Sequence, residues 1–332
     1  MSNIDDTLLE SEKSFEDLLR HATPRPNPTA DETAAVRTAV RNEWEQVAKK
    51  RRTRKRFYAL AAVASVVLAF AAVINFQSVL TPTPVRVASI ETSIGPIYVL
   101  GDESRLQATG DLSSIVVGQT IVTGDAAALG LTWSGGGSLR LAEDTRVLFK
   151  SAGVIELLSG QVYFDSMGGA STLAIETRFG GVQHIGTQFM TSVDSEVLRV
   201  SVRDGRVEID GLHFAQVAEA RQQVTMRGSA RAEVLDIAPY GNEWLWIEAT
   251  APIVSFDGVT LHRFLEWVAH ETGFTITYAT PELETLAKRE LVKTEIPGTP
   301  RKVLGQRLIT FHLDYELQFE EGVIRIVELE GS

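Results

Sequence analysis

Apolar side chains recur at helical intervals in the first 48 residues of this 332-residue chain. They fall into two groups: Ile4, Leu8, Phe15, Leu18 and Leu19, then Val36, Val40, Trp44 and Val47. This spacing predicts two short amphipathic helices. Pro24, Pro26 and Pro28 alternate with other residues between them, which favours an extended connector. Thr29 and Glu32 have the spacing of a capping box that opens the second helix.

An uncharged, largely apolar run from Phe57 to Leu80 follows a dense basic block. The block consists of Lys49, Lys50, Arg51, Arg52, Arg54, Lys55 and Arg56. Because 18 or more apolar residues suffice to cross a hydrocarbon core of ~30 Å, we predict one transmembrane helix at 57–76. Basic flanks stay cytoplasmic, so residues 1–56 are expected inside and the chain after about residue 80 outside. The alternatives are a buried core helix and a signal peptide cleaved near Ala69-Phe70-Ala71, whose charged region would be unusually long.

The spacing changes to a period of two between residues 85 and 235. Short alternating runs such as 138–141, 146–149, 161–164 and 198–202 are separated by Gly, Asp and Ser. Many short strands at regular intervals predict an all-β sandwich, barrel or solenoid. We expect helical character at 215–223 and a joint over 211–250. There, Trp244 and Trp246 form either an exposed interface or the packing between two domains.

A strand-helix-strand pattern begins at residue 253. The predicted elements are a strand at 253–256, a helix ending at Gly273, and a strand at 274–278. The unit recurs as a strand at 292–296, a helix at 301–309, and strands at 315–319 and 323–327 joined by a hairpin. Residues 250–330 are therefore predicted to form a small α+β domain with repeated β-α-β units.

Neither composition nor candidate chemistry supports catalysis. The net charge of −11 disfavours direct nucleic-acid binding, and the lack of cysteine excludes disulfides and thiolate chemistry. His262, Glu266 and His270 are spaced four apart and share a helix face, which suits either a metal site or the solvated side of that helix. His184 suits either a binding role or hydrogen-bonded packing. We favour the structural interpretation of both, and predict no enzyme activity, no metal and no cofactor.

Several motifs in the alternating region resemble the FecR domain over roughly residues 90–210. They are 122–124, 131–133, 136–141, 160–165, 175–177, 181–189 and 200–207, in the expected order. The pattern at 253–328 resembles the short N-terminal domain of secretins and TonB-dependent transporters, which also ends many FecR proteins. The predicted fold is thus multi-domain: a short α-helical segment, one transmembrane helix, an all-β FecR domain at 85–235 and the α+β domain.

The resemblance implies a single-pass inner-membrane regulator. Its cytoplasmic segment would bind an extracytoplasmic-function sigma factor through Leu18, Leu19, Val40 and Trp44. Its periplasmic end would meet the signalling domain of an outer-membrane TonB-dependent receptor for iron chelates, by adding a strand to an open sheet edge. We expect proteolysis near the membrane to carry the signal. The alternative function is a membrane-anchored envelope protein that recognises glycan or another envelope component without a sigma partner.

Overall fold

The computed structural model of the protein describes most of the chain after residue 83 and part of the N-terminal segment. The described residues are 20, 29–32, 34–41, 44, 84–100, 106–108, 112–169, 171, 173–211, 214–228, 232–252, 254–293 and 298–329. The chain divides into two units, Met1–Pro82 and Thr83–Ser332. The predicted membrane span at 57–76 lies outside the described residues. Within the described ranges, no helix is long and apolar enough to cross a membrane.

A helix occupies the described part of the first unit. Residues 30–32, 34–41 and 44 are helical. The backbone N–H of Thr29 donates to Glu32 Oε2 at 2.9 Å, and the backbone N–H of Glu32 donates to Thr29 Oγ1 at 3.3 Å. This reciprocal pair satisfies two N–H groups that the first helical turn leaves unpaired. The predicted capping box and the second predicted helix are therefore confirmed where they are described.

Fifteen described strands of the second unit form one hydrogen-bonded sheet. In chain order they are β1 (Arg86–Ile94), β2 (Ile97–Leu100), β3 (Leu106–Ala108), β4 (Ser114–Val116), β5 (Thr120–Thr123), β6 (Ala128–Trp133), β7 (Ser138–Leu141), β8 (Arg146–Ser151), β9 (Val154–Asp165), β10 (Ala174–Thr177), β11 (Gly180–Val193), β12 (Val197–Gly211), β13 (Phe214–Glu219), β14 (Gln222–Arg227) and β15 (Glu233–Asp236). Their pairing is antiparallel except between β9 and β10. The predicted mostly-β architecture is confirmed.

Three long strands, β9, β11 and β12, connect different parts of this sheet. The first half of β9 pairs with β8 and β10, and its second half, from Gly160, pairs with β7 and β11. Gly160 has φ of 90°, and a Cβ there would collide with the backbone of Thr145. Gly205 has φ of 80° where β12 changes partner from β14 to β13. These glycines belong to the FecR-like motifs, and they let one strand change direction without a break.

The alternating residues of these strands bury a single hydrophobic core. Its larger members include Trp133, Phe149, Phe164 and Phe189. The face of the sheet opposite this core is also buried in places on β7, β9, β11 and β12. On β7, for example, all four residues are buried. That second buried face lies against the C-terminal elements, and it positions the charged residues described below.

The predicted helical character at 215–223 is wrong. These residues form most of β13, a turn at 220–221 with Arg221 at φ of 65°, and the start of β14. Ala, Glu and Gln favour a helix by intrinsic propensity, but that preference is weak. Pairing of both strands with β12 buries Ala218 and Val224, which overrides it.

The remaining described elements are a short 3-10 helix at Asn242–Trp244, four α-helices and a three-stranded sheet. The α-helices and strands are α1 (Leu245–Ala249), α2 (Leu261–Thr272), β16 (Thr275–Tyr278), α3 (Pro281–Arg289), α4 (Pro300–Ile309), β17 (Leu313–Gln318) and β18 (Val323–Glu328). Strand β18 is central, parallel to β16 and antiparallel to β17. Helix α2 begins at the Thr260 cap and ends at Gly273, whose φ of 76° is the predicted left-handed cap.

The first predicted strand of this region is absent at 254–256, so the first predicted β-α-β unit is wrong there, whereas 294–296 of the second predicted strand lie outside the described residues. Residues 254–256 are not in a strand, and the Phe256 ring packs on Phe264 and Trp267. At 292–293 no strand forms, and Leu291 makes one isolated bridge to Thr260. Helix α3 was missed, although Pro281 at its first position and the acidic-to-basic order of its ends are helix signals.

Candidate functional sites: an exposed helical stripe and a charged junction

Three apolar side chains of the N-terminal helix form an exposed stripe. Val36, Val40 and Trp44 are 62%, 50% and 74% exposed. Their spacing of four residues places them on one side of the helix. Of the predicted partner-binding residues, Val40 and Trp44 are thus present and accessible in this stripe. Leu18 and Leu19, and the basic block at 49–56, lie outside the described residues.

In the second unit, the outer face of the large sheet meets α1 and α2 at what we call the junction. Its apolar part consists of Tyr163, Met190, Trp244 and Ile247. Trp244 is buried edge-on against Tyr163 at 6.4 Å between ring centroids, and its Nε1–H donates to the Ala238 carbonyl at 3.0 Å. Of the two interpretations of the tryptophan pair, internal packing rather than an exposed interface therefore holds for Trp244.

A buried ion pair crosses the junction. Arg140 of β7 lies 2.8 Å from the Glu271 carboxylate of α2, and both side chains are at most 1% exposed. The same Arg140 donates from Nη1 to the Ile247 carbonyl at 2.9 Å. Burial alone would lower the pKa of Arg140, but the nearby Glu271 carboxylate raises it above its ordinary value. Arg140 thus remains charged and ties β7 to both α1 and α2.

A second pair lies beside the first. His270 Nε2 is 2.6 Å from Asp165 Oδ2, and Gln188 Nε2 donates to the same oxygen at 3.1 Å. Burial acts to raise the pKa of Asp165, yet the hydrogen bond and charge of His270 hold it below its usual range. Burial acts to lower the pKa of His270, and Asp165 raises it above the ordinary value. The geometry therefore favours the charged form of both groups.

Arg203 of β12 completes the junction. Its Nη1 donates to the Glu271 backbone carbonyl at 3.0 Å, and its guanidinium lies 4.5 Å from the Trp244 ring centroid and 5.7 Å from that of Tyr163. Stacking over aromatic faces compensates a buried cation. The Tyr163 hydroxyl is buried without a hydrogen-bond partner among the described residues, and burial raises its pKa.

His262, Glu266 and His270, which suit either a metal site or a solvated helix face, are not among the groups whose ligand atoms converge in the described part of the chain. His262 Nε2 lies 3.6 Å from Glu266, but His270 is directed towards Asp165, and the other His262 nitrogen is 2.8 Å from the Tyr278 hydroxyl. Within the described part of the chain, Asp165, His270 and Glu271 bring one ligand atom each within 4.8 Å. Because the Arg140 guanidinium already neutralises Glu271, this group is better satisfied as an ion-pair network than as a cation site.

His184 packs between two aromatic rings. Its ring centroid lies 4.8 Å from that of Phe164 and 5.9 Å from that of Phe189. Neither ring nitrogen has a hydrogen-bond partner among the described residues, and burial lowers its pKa. It is a packing residue, as favoured from the sequence, but it is not the hydrogen-bonded one expected.

Sequence reasoning did not single out the charged junction residues. Arg140, Asp165 and Arg203 each lie within a FecR-like motif, at a position that alternation assigns to the outer face. A polar residue there is normal on a solvated face, so the pattern alone gives no warning that the face is covered. The available signal was a charge in each of three motifs, which lie on β7, β9 and β12.

Comparison with known proteins bears on the large sheet. Residues 119–208 match the family model described as FecR protein. No curated protein matches the sequence. Two crystal structures described as a "putative anti-sigma factor" from Parabacteroides distasonis are similar, at 16% and 14% identity and TM-scores of 0.34 and 0.35. Each match covers 63% of this chain and 98% of the chain in the crystal structure. The family match by itself confirms the resemblance seen in the motifs over residues 119–208, which match the FecR family.

Proposed function

We propose that this chain is a single-pass inner-membrane regulator of an extracytoplasmic-function sigma factor. The observation that carries the proposal is the FecR match at 119–208, in which the motif glycines and the junction charges have defined structural roles. The N-terminal segment would lie in the cytoplasm, residues 57–76 would cross the membrane, and the large sheet and C-terminal elements would lie in the periplasm. The basic block next to an apolar run supports this orientation.

The exposed stripe of Val36, Val40 and Trp44 is the proposed contact for the sigma factor. A short helix with an apolar stripe in water gains free energy by placing that stripe in a groove of a partner. Large aromatic side chains dominate such contacts. The pattern of exposure therefore supports Trp44 as the central residue.

The proposal is tested by co-purification of the tagged full chain with the small sigma factors of its source organism. Recovery of one sigma factor is expected, and Trp44→Ala should weaken binding by about 30-fold or more, the effect of losing an interface hot spot. Thr38→Ala is the matched control, because Thr38 lies on the same helix away from the stripe. Failure to recover any sigma factor, or equal effects of the two substitutions, would contradict the proposal.

Topology and signal transfer need separate tests. Alkaline phosphatase fused after residue 90 should be active, and the same enzyme fused after residue 45 should be inactive, if the segment between them crosses outward. Transfer of the signal by proteolysis near the membrane predicts a shortened chain after induction. Full sigma-dependent transcription with only intact chain present would contradict that mechanism. Contact with a TonB-dependent receptor for iron chelates belongs to the same proposal and is tested by binding to the receptor's signalling domain.

A further inference from the structure

A cavity of about 610 Å³ lies between the large sheet and α1. Gly160 of β9, Val193 of β11 and the turn at 142–144 contribute from the sheet, and Trp246 and Ala249 contribute from α1. These residues and their neighbours along the chain all lie within the described ranges. Small-molecule sites typically have volumes of about 300–1,000 Å³. The size of this cavity therefore suits a small ligand.

Small apolar side chains make up much of the cavity wall. Ala127, Ala142 and Val193 line it and are at most 7% exposed. The aromatic member of the wall is Trp246, whose half-buried indole packs against the apolar part of the junction. Small apolar groups beside one aromatic ring favour a ligand that presents a flat apolar surface. We therefore expect a ligand built on a ring with an apolar face.

Two adjacent carboxylates line the same cavity. Glu143 is held by the backbone N–H of Ala126, which donates to its Oε2 at 3.0 Å, and Asp144 is exposed beside it. The third carboxylate of the wall, Asp194, lies 3.9 Å from Arg199, which partly offsets its charge. No Lys or Arg is among the described residues of the wall. Because carboxylates accept hydrogen bonds and do not donate them, a ligand must bring donors to this side.

The backbone that carries these carboxylates is strained. Ala126 and Asp144 both have φ of 52°, a left-handed conformation that is unfavourable for residues with a Cβ. Of the five described non-glycine residues with positive φ, these two line the cavity. Such strain persists only where the surrounding structure imposes it, and it is frequent at binding sites. The positions of the carboxylates are therefore fixed before a ligand arrives.

A buried donor in the wall has the opposite requirement. The Trp246 Nε1–H has no hydrogen-bond partner among the described residues, and a buried donor without a partner is unfavourable. This donor requires an acceptor, whereas the carboxylates require donors. A cation would satisfy only the carboxylates, and an anion would satisfy only the indole. A hydroxyl group both donates and accepts, so hydroxyl groups satisfy both sides.

We propose that the cavity binds a saccharide. A sugar ring has an apolar C–H face, which matches the alanine and indole surface of the wall. Its edge carries hydroxyl groups, which would donate to Glu143 and Asp144 and accept from Trp246. In the bound state a rotation of the indole would bring its N–H to a ligand hydroxyl.

The test is ligand-observed saturation-transfer NMR with the full chain in lipid nanodiscs, and empty nanodiscs serve as the blank. The probes are the methyl glycosides of glucose, galactose, mannose and N-acetylglucosamine. At least one should bind saturably with a Kd on the order of 1 mM, the affinity typical of a ligand of this size. The hydroxyl-free ring 2-methoxytetrahydropyran should bind at least about tenfold more weakly, since it leaves the polar groups of the wall unpaired.

Two outcomes of this experiment would overturn the proposal. One is the absence of saturable binding above the blank for all of the glycosides. The other is binding of cyclohexylamine or cyclohexanecarboxylate as tight as that of the best glycoside. In that case the cavity would select a charge rather than hydroxyl groups.

Three variants locate the site. Trp246→Phe keeps an aromatic ring and removes the N–H, Glu143→Gln removes a charged acceptor, and each should weaken glycoside binding about fivefold. Ala249→Phe changes an exposed α1 position of the wall, so it should fill the cavity and abolish binding. Glu208→Gln is the matched control, because Glu208 is an exposed carboxylate of β12 outside the wall.

Circular dichroism checks the fold of each variant. Unchanged binding in folded Ala249→Phe, or equal effects of Glu143→Gln and Glu208→Gln, would refute the location. If Ala249→Phe does not fold, Trp246→Phe and Glu143→Gln decide.

This inference does not depend on the sigma-factor role. The NMR samples contain no sigma factor, and the co-purification contains no added saccharide. Failure of one experiment is therefore distinguishable from failure of the other.

Discussion

The exposed stripe and the junction place side chains in opposite environments. The stripe leaves Val36, Val40 and Trp44 in water, whereas the junction buries Arg140 and Glu271 out of it. Each arrangement is unfavourable unless something compensates it. At the junction the compensation is within the chain, as ion pairs, hydrogen bonds and ring contacts. For the stripe it would come from a partner. The difference separates a surface that is compensated within the chain from one for which we propose a binding partner.

The largest effect should come from breaking the junction ion pair. Arg140→Met leaves Glu271 buried without its partner, and we expect the free energy of unfolding of the second unit to fall by about 3–5 kcal/mol. Urea denaturation of the full chain measures this. The double variant Arg140→Met/Glu271→Met should recover a large part of the loss, because both charges are then removed. A double variant as unstable as the sum of the single ones would show that the charges are not coupled.

The next largest loss of stability should come from a glycine substitution in the large sheet. This substitution tests the packing of the strands independently of the junction charges. Gly160→Ala places a Cβ at positive φ and against the Thr145 backbone, so a loss of about 2–4 kcal/mol is expected. Gly168→Ala is the control, since Gly168 also has positive φ but no atom lies near its Cβ position. It should cost only about 1 kcal/mol. If urea denaturation showed equal losses of stability for the two variants, the collision with the Thr145 backbone would not explain the effect of Gly160→Ala.

The Asp165–His270 pair should make a smaller contribution that depends on pH. The pKa of Asp165 is lowered on folding. Its contribution to the free energy of unfolding is therefore complete above about pH 4 and is lost as pH falls below that. The pKa of His270 is raised, so its contribution is complete below about pH 6.5 and is lost as pH rises. Because His270 is 40% exposed, solvent limits the pair to about 1 kcal/mol.

The test of this pair is His270→Gln in urea at several pH values. The difference from the unmodified chain should be largest between about pH 4 and 6.5 and smaller at pH 8. His262→Gln, on the same helix, is the control. A difference that is independent of pH would mean that the pair does not titrate as described.

The smallest effect on stability should come from the stripe. Trp44→Ala removes a side chain that is 74% exposed, so the thermal unfolding midpoint of the second unit should not change measurably. The same substitution is expected to have the large effect on sigma-factor binding given above. A marked loss of stability would indicate that Trp44 packs within the chain, and the contrast between the two regions would disappear.

The sequence predicts local features well where one pattern decides the outcome. The capping box at Thr29, the left-handed cap at Gly273 and the alternating strands are local signals, and all three are confirmed. The helical prediction for residues 215–223 is wrong because pairing with β12 outweighs helix propensity. The junction was missed because burial of Arg140 depends on α2, more than 100 residues later in the chain. The hydrophobic periodicity of one segment does not show which distant segment will pack against it.

The glycine cap at Gly273 sets how tightly this arrangement is constrained. A Cβ there would collide with the carbonyl oxygen of Pro239, so the end of α2 lies directly on the segment that leads out of the large sheet. His270 and Glu271 occupy the turn just before that cap. One residue without a side chain therefore fixes the distance at which two charged partners meet the sheet. A side chain at this position would push the end of α2 away from Pro239, and His270 and Glu271 would move together relative to their partners on the sheet.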